Sequence, residues 1–173
     1  MIKMITSALN RLKSVSLGLP INRVSFGKYF IFNRNSSVEF KGKTNFGHNC
    51  FVTALGGKII FGENFKCNNG VHINADIGGL ITFGSNVLVG PNVIIRSANH
   101  RFRNLNRIVS NQGHDVKDIK IGNNVWIGGG VIVLPGVEIG DNSVIGAGAV
   151  VTKSIKANSI AVGNPAKEID SIL

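Results

Sequence analysis

Residues 132–151 read IVLPGVEIGDNSVIGAGAVV, with an apolar residue returning every sixth position at Val133, Ile139, Ile145 and Val151. There are too many glycines here for a helix and too few charges for a solvated surface. From Ile121 the chain divides without a gap into IGNNVW, IGGGVI, VLPGVE, IGDNSV, IGAGAV and VTKSIK: aliphatic first, commonly Gly second, small or β-branched fifth. The same template recurs upstream in FGHNCF from Phe46, FGENFK from Phe61, FGSNVL from Phe83 and VGPNVI from Val89. A longer repeat aligns LGGKIIFGENFKCNNGVHI, from Leu55, with IGGLITFGSNVLVGPNVII, from Ile77, at an offset of 22 residues, three hexapeptides plus four extra.

A six-residue period describes a strand too short to bury itself. At about 3.3 Å per residue, four or five extended residues make one flat face and the rest turn a corner. The first-position side chain points inward, the small fifth residue fits the narrowing corner, and Gly or Asn near the turn supplies backbone angles that bulky residues avoid. Three faces close one coil, and stacked coils pair their backbone edges with one another. The expected fold is an all-β parallel solenoid over residues 38–169, preceded by an N-terminal segment at 1–37. In that segment Ile2, Ile5, Leu9 and Leu12 fall at helical spacing with Lys3, Arg11 and Lys13 off the stripe. It reads as a cap on the solenoid or as a basic amphipathic helix lying on a membrane. The rhythm stops after Ile95 and resumes at Ile121, so 98–120 is expected to leave the coil as a loop that walls off a pocket.

Composition limits the function classes. The 173 residues are 43% hydrophobic and 16% charged, with 22 glycines and a net charge of +10. This composition fits one folded domain and excludes a disordered chain. No apolar run reaches the length of a membrane span, and MIKMITSALNRLKSVSLGLP has no cleavable-signal pattern, so a cytoplasmic protein is expected. Cys50 and Cys67 fall on the repeat lattice and read as buried thiols, not a disulfide. The positive charge is dispersed and lacks interleaved aromatics, which argues against nucleic acid.

The run IGNNVWIGGGVIVLPGVEIGDNSVIGAGAVVTKSI, followed by AVGNPAKEI, resembles the C-terminal half of the hexapeptide-repeat O-acetyltransferases, the maltose, galactoside, nodulation-factor and polysaccharide acetyltransferase group. The likeness is close over 114–169 and looser over 40–113. It implies a left-handed parallel β-helix, a homotrimer, and acetyl-CoA bound as co-substrate in clefts between subunits. It also implies His100, in SANHRF where the chain leaves the coil, as general base, a task suited to an imidazole with an ordinary pKa near 6.5. By the same resemblance the oxyanion donors are a backbone N–H near Gly129 and, across the interface, the Asn68 amide. Asp76 and His114 are acceptor contacts. Trp126, Gly129, Ala147, Thr152, Lys153 and Lys167 hold the cofactor, with Gly129 and Ala147 one coil apart so that pantetheine lies along the backbone. Arg101 and Arg103, with Arg107, suit an acceptor bearing phosphate or carboxylate.

His48 and His72 sit inside repeats and read as structural. A metal is not expected, since the γ-class carbonic anhydrases that share this solenoid carry paired histidines in consecutive hexapeptides where this chain has WIGGG. The expected activity is therefore acetyl transfer to a sugar hydroxyl in bacterial surface polysaccharide synthesis. The alternatives are a small free acceptor such as serine, a simple sugar or an antibiotic, and a non-catalytic assembly solenoid.

Overall fold

The computed structural model describes residues 23–32, 37–75 and 77–172, and they wind into a three-faced β-helix. The first face stacks Val24–Phe26, Thr44–Phe46, Phe65–Cys67, Leu88–Val89, Trp126–Ile127, Val144–Ile145 and Ser159–Val162 in parallel, and Lys167–Ser171 closes its top antiparallel to Ser159–Val162. The second face runs Ile31–Phe32, Phe51–Thr53, His72–Asn74, Ile94–Arg96, Ile132–Val133 and Val150–Val151. The third runs Ser37–Phe40, Lys58–Phe61, Leu80–Phe83, Ile119–Ile121 and Glu138–Ile139. Because Val24–Phe26 already pairs with Thr44–Phe46, the winding starts ahead of the expected boundary at 37 and 38. The amphipathic stripe Ile2 to Leu12 lies outside the described residues.

Hexads hold strictly at two corners. Six positions separate Phe61 from Cys67, Phe83 from Val89, Cys67 from Ile73 and Ile127 from Val133, and all seven side chains point into the core. The slack gathers at the corner between the second and third faces. Ladder partners place Val52, Ile73, Ile95 and Val133 in one column and Phe61, Phe83, Ile121 and Ile139 in another. The chain between these columns lengthens at Ala54–Gly57 and again at 75–79, then opens into the whole interruption after Ile95. The strands themselves cannot take an insertion without losing register, so length is added where the backbone leaves the ladder.

The core follows the same division. The roomier N-terminal coils are filled by Phe46, Phe61, Phe65 and Phe83, each no more than 3% exposed. Phe40, Phe61 and Phe83 stack through consecutive coils, with centroids 5.4 and 5.0 Å apart and rings within 8° of parallel. Tighter coils above hold Ile127, Val133, Ile139, Ile145 and Val151 at 0% exposure. Each such side chain contributes about 1.5–3 kcal/mol on burial. At the corner leading into the first face, Asn64, Asn86, Asn124, Asn142 and Asn158 adopt φ between 54° and 61° wherever φ is left-handed, an angle that Asn tolerates better than bulkier residues. Their amides form a ladder, Asn124 Nδ2 donating to Asn142 Oδ1 at 3.0 Å and Asn142 Nδ2 to Asn158 Oδ1 at 2.9 Å.

The interruption is more ordered than a plain loop. Ala98–His100 pairs antiparallel with His114–Val116, a single 3-10 turn spans Val109–Asn111, and the coil is regained at Ile119, slightly ahead of Ile121. Gln112 holds the far end together: its Nε2 donates to the carbonyls of Asn104 and Arg107, both at 2.9 Å, and its Oε1 accepts the Asn104 N–H.

Candidate active site

Outward-facing residues of the first face make a column, Ser25, Asn45, Lys66, Leu88, Trp126, Val144 and Ile160, in ladder register. Beside its middle lies a groove of about 660 Å³ whose walls include Asn68, Leu88, Pro91, Trp126, Gly129 and Ala147. Trp126 is 53% exposed, an indole standing on an outer face.

The groove's chemistry comes from its corner. At most corner positions the amide of one coil is capped by a side chain of the next: the Lys28 N–H donates to His48 Nδ1 at 2.8 Å and the His48 N–H to Asn69 Oδ1 at 2.8 Å. On the preceding corner Asn123 Oδ1 accepts from Ser85, and Asp141 Oδ1 accepts from Asn123. Higher on the groove's corner the cappers run out. Pro91 has no N–H to cap, and Ala147 and Gly163 have no polar side chain for the coil beneath. The Gly129 and Ala147 N–H groups consequently have no acceptor among the described residues. They sit on adjacent rungs, since the Gly148 N–H donates to the Gly129 carbonyl at 2.8 Å. Adjacent rungs are about 4.8 Å apart, so the two donors form a short ladder aimed at whatever fills the groove. A Cβ at Gly128 would meet the Ala147 amide nitrogen at 2.6 Å, which keeps position 128 bare.

Asn68 lines this same groove. Its Oδ1 accepts the Asn69 N–H at 2.7 Å, which turns Nδ2 free of any acceptor among the described residues. Three donors therefore line one wall of one chain. Beneath them Cys50 and Cys67 are buried free thiols with sulfurs 3.9 Å apart. The hydrogen bond with Cys50, then burial, hold the Cys67 thiol well above its ordinary range, so it is a protonated packing residue.

His100 lies on the hairpin, exposed, and is absent from the groove's lining. Opposite it in register is His114, with ring centroids 4.2 Å apart and planes at 39°. His114, expected as an acceptor contact, thus stands beside the expected base. Arg101 is committed to Asp115 through Nε at 2.8 Å, and Arg103 lies over the Phe102 ring at 5.6 Å. These two and Arg107 surround a separate hollow on the loop. Thr152, Lys153 and Lys167 are exposed near the top of the helix and do not line the groove. Asp76 lies outside the described residues. His48 is a corner capper, and His72 packs against Phe51 on the second face at 5.8 Å between centroids. Among the described residues no three His, Cys, Asp or Glu side chains cluster as metal ligands would.

The bacterial transferase hexapeptide family, in its six-repeat form, matches residues 118–153. The galactoside O-acetyltransferase of Escherichia coli K12 is 44% identical over 170 residues, covering 90% of this chain and 81% of that protein. A maltose O-acetyltransferase structure from Clostridium difficile 630 superposes at a TM-score of 0.65 with 37% identity, over 86% of this chain and 71% of that one. A galactoside acetyltransferase solved in complex with coenzyme A gives 0.61 and 31%, over 96% and 82%. Acetyltransferase relatives from Schizosaccharomyces pombe, Dictyostelium discoideum and Saccharomyces cerevisiae are longer, the chain spanning 64%, 60% and 60% of them. The winding and the family match together define a left-handed parallel β-helix of the hexapeptide-repeat class. This chain belongs to the hexapeptide-repeat O-acetyltransferase family.

Proposed function

We propose that the protein transfers an acetyl group from acetyl-CoA to a hydroxyl of a sugar, with the groove binding the thioester and His100 serving as base. The observation that carries this reading is the open donor set of Gly129, Ala147 and Asn68 beside Trp126. Pantetheine carries amide carbonyls that need such N–H donors, and the reacting carbonyl develops an oxyanion that needs one more. The His100 imidazole takes the hydroxyl proton as the acceptor oxygen bonds to the acetyl carbon. The tetrahedral oxyanion accepts from Asn68 Nδ2 or a corner N–H, a donor worth about 3 kcal/mol in such sites. Collapse breaks the carbon–sulfur bond, and the departing thiolate takes the proton back from the imidazolium.

His100 stands outside its own chain's groove, so the reading needs a second copy to supply it. Two faces are suited to association. The first exposes Leu88, Trp126 and Val144, and the second exposes Ile31, Phe51, Ile94, Ile132 and Val150. The third is laced with charge, Lys58 with Glu39 at 3.2 Å and Lys120 with Glu138 at 2.6 Å. A cytoplasmic homotrimer that brings the first face of one copy near the second face of the next, with the groove kept open as a cleft between them, and leaves the third face wet accounts for this asymmetry. A role in surface polysaccharide synthesis is the finer form of the proposal.

The test incubates purified protein with acetyl-CoA and a panel of sugars, nucleotide sugars and serine, following free thiol alongside His100→Ala. Turnover on a sugar that the variant loses is expected. Thiol release on serine alone assigns the small-acceptor reading, and equal rates for variant and wild type overturn the role of His100.

A further inference from the structure

The outer column of the first face changes character at Lys66. Above it stand Leu88, Trp126 and Val144; below it stand Asn45 and Ser25. The asparagine column of the adjacent corner changes at the same level, Asn64 giving way to Lys43 and then Arg23 in the two lowest coils. These substitutions surround a second hollow of about 370 Å³ lined by Arg23, Ser25, Lys43, Asn45, Asn64 and Lys66, with no carboxylate in its lining. Lys66 and Asn45 also line the groove that holds Asn68, so the two spaces adjoin. Among the described residues the ion pairs are Lys58 with Glu39, Arg101 with Asp115 and Lys120 with Glu138, and none engages Arg23, Lys43 or Lys66.

Glu63 stands beside Gly42 but forms no ion pair with the three exposed cations, whose mutual repulsion an anion between them would relieve. We propose that this hollow binds the carboxylate or phosphate of the acceptor, so that the favoured substrate is an acidic saccharide. The inference rests on the groove above being the acetyl-transfer site. A sugar hydroxyl beside Asn68 then has its ring over Lys66 and its anionic group at Lys43 and Arg23, one or two rungs of about 4.8 Å further down. Lysines act here as point charges that accept either anion, while Asn45 and Ser25 supply directional hydrogen bonds to the ring.

The test compares methyl glucoside, glucuronate and glucose 1-phosphate, both as acceptors in thiol release and by calorimetric binding to the CoA-loaded protein. Lys43→Gln, Lys66→Gln and the double variant are set against Lys58→Gln on the third face. At least one acidic sugar is expected to exceed the neutral one by about tenfold, mainly in KM, and rising ionic strength is expected to erode the advantage. Each groove lysine variant should cut the ratio severalfold, the double variant should abolish it, and Lys58→Gln should preserve it. Which acid wins separates carboxylate from phosphate. Equal use of the neutral sugar overturns the proposal, as does an advantage that survives the double variant or falls equally with Lys58→Gln. Binding confined to anionic lipid vesicles also overturns it. Acid binding that is lost in the double variant, without turnover of any sugar, keeps the subsite and overturns the transfer reading instead.

Discussion

His114 lies directly across the hairpin from His100, the two rings 4.2 Å apart, so a second imidazole on the returning strand packs against the proposed base. His100→Ala is expected to lower kcat by about 100- to 10,000-fold, the range for a general base. His114→Ala should cost less and mainly in kcat, because the His100 ring loses the surface that limits its rotamers. His114→Phe keeps a flat neighbour and should recover part of that loss. Thiol-release kinetics on the three variants check this, and an Ala variant at position 114 with wild-type kcat removes the positioning role.

Ala147 offers a sharper test, because the rest of the helix shows what a polar residue does at such a corner. Asn123 caps Ser85 and Asp141 caps Asn123 from one coil above. Ala147→Asn therefore places a carbonyl oxygen where it can accept the Gly129 N–H. The variant should fold at least as stably as wild type while losing about 10- to 100-fold in acetyl-CoA affinity, the scale of one or two displaced hydrogen bonds. Thermal unfolding and calorimetry measure the two effects. Coexpressing this variant with His100→Ala should restore activity that neither has alone, provided groove and base come from different copies.

The solenoid was legible because its period is a direct consequence of strand geometry: Val133 and Ile139 both point inward only if six residues make one face. The loop was legible as a break in that period. What the pattern hid was everything set by stacking between coils. That Asn68 shares a groove with Gly129 of its own chain follows from the ladder, not from local pattern. Nothing local announces the pairing of His100 with His114 across thirteen other residues. The open amides do have a signal: Gly and Ala at positions 129 and 147 where lower coils carry His48 and Asn69. The signal is visible only after the coils are aligned, since the capper of each amide sits about a full coil away in sequence.

Phe61 tests whether the aromatic stack fills the wide coils or merely occupies them. It is fully buried and stacked on both Phe40 and Phe83. Phe61→Ala should destabilise the protein by about 3–5 kcal/mol, transfer and cavity terms together, as seen by denaturant unfolding. Phe61→Leu should cost clearly less because it leaves a smaller void.

Asp141 gives the stability a dependence on acid. The Asn123 backbone N–H at 2.7 Å, the Asn123 side-chain amide at 3.3 Å and the nearby Lys120 charge hold its carboxyl below the usual carboxylate range. A group whose folded pKa is depressed stabilises the fold fully above its unfolded value, near about 3.9, and loses that contribution as pH falls through the folded value. Asp141→Asn keeps an oxygen to accept the Asn123 N–H but cannot be protonated in this range. Its melting temperature should lie below wild type at pH 6 and converge on it as the solution is acidified below about pH 4, where the wild-type carboxylate begins to be neutralised. Parallel melting curves across that interval, with a constant gap between the proteins, would show that the corner gains its stability from the acceptor oxygen alone and nothing from the charge.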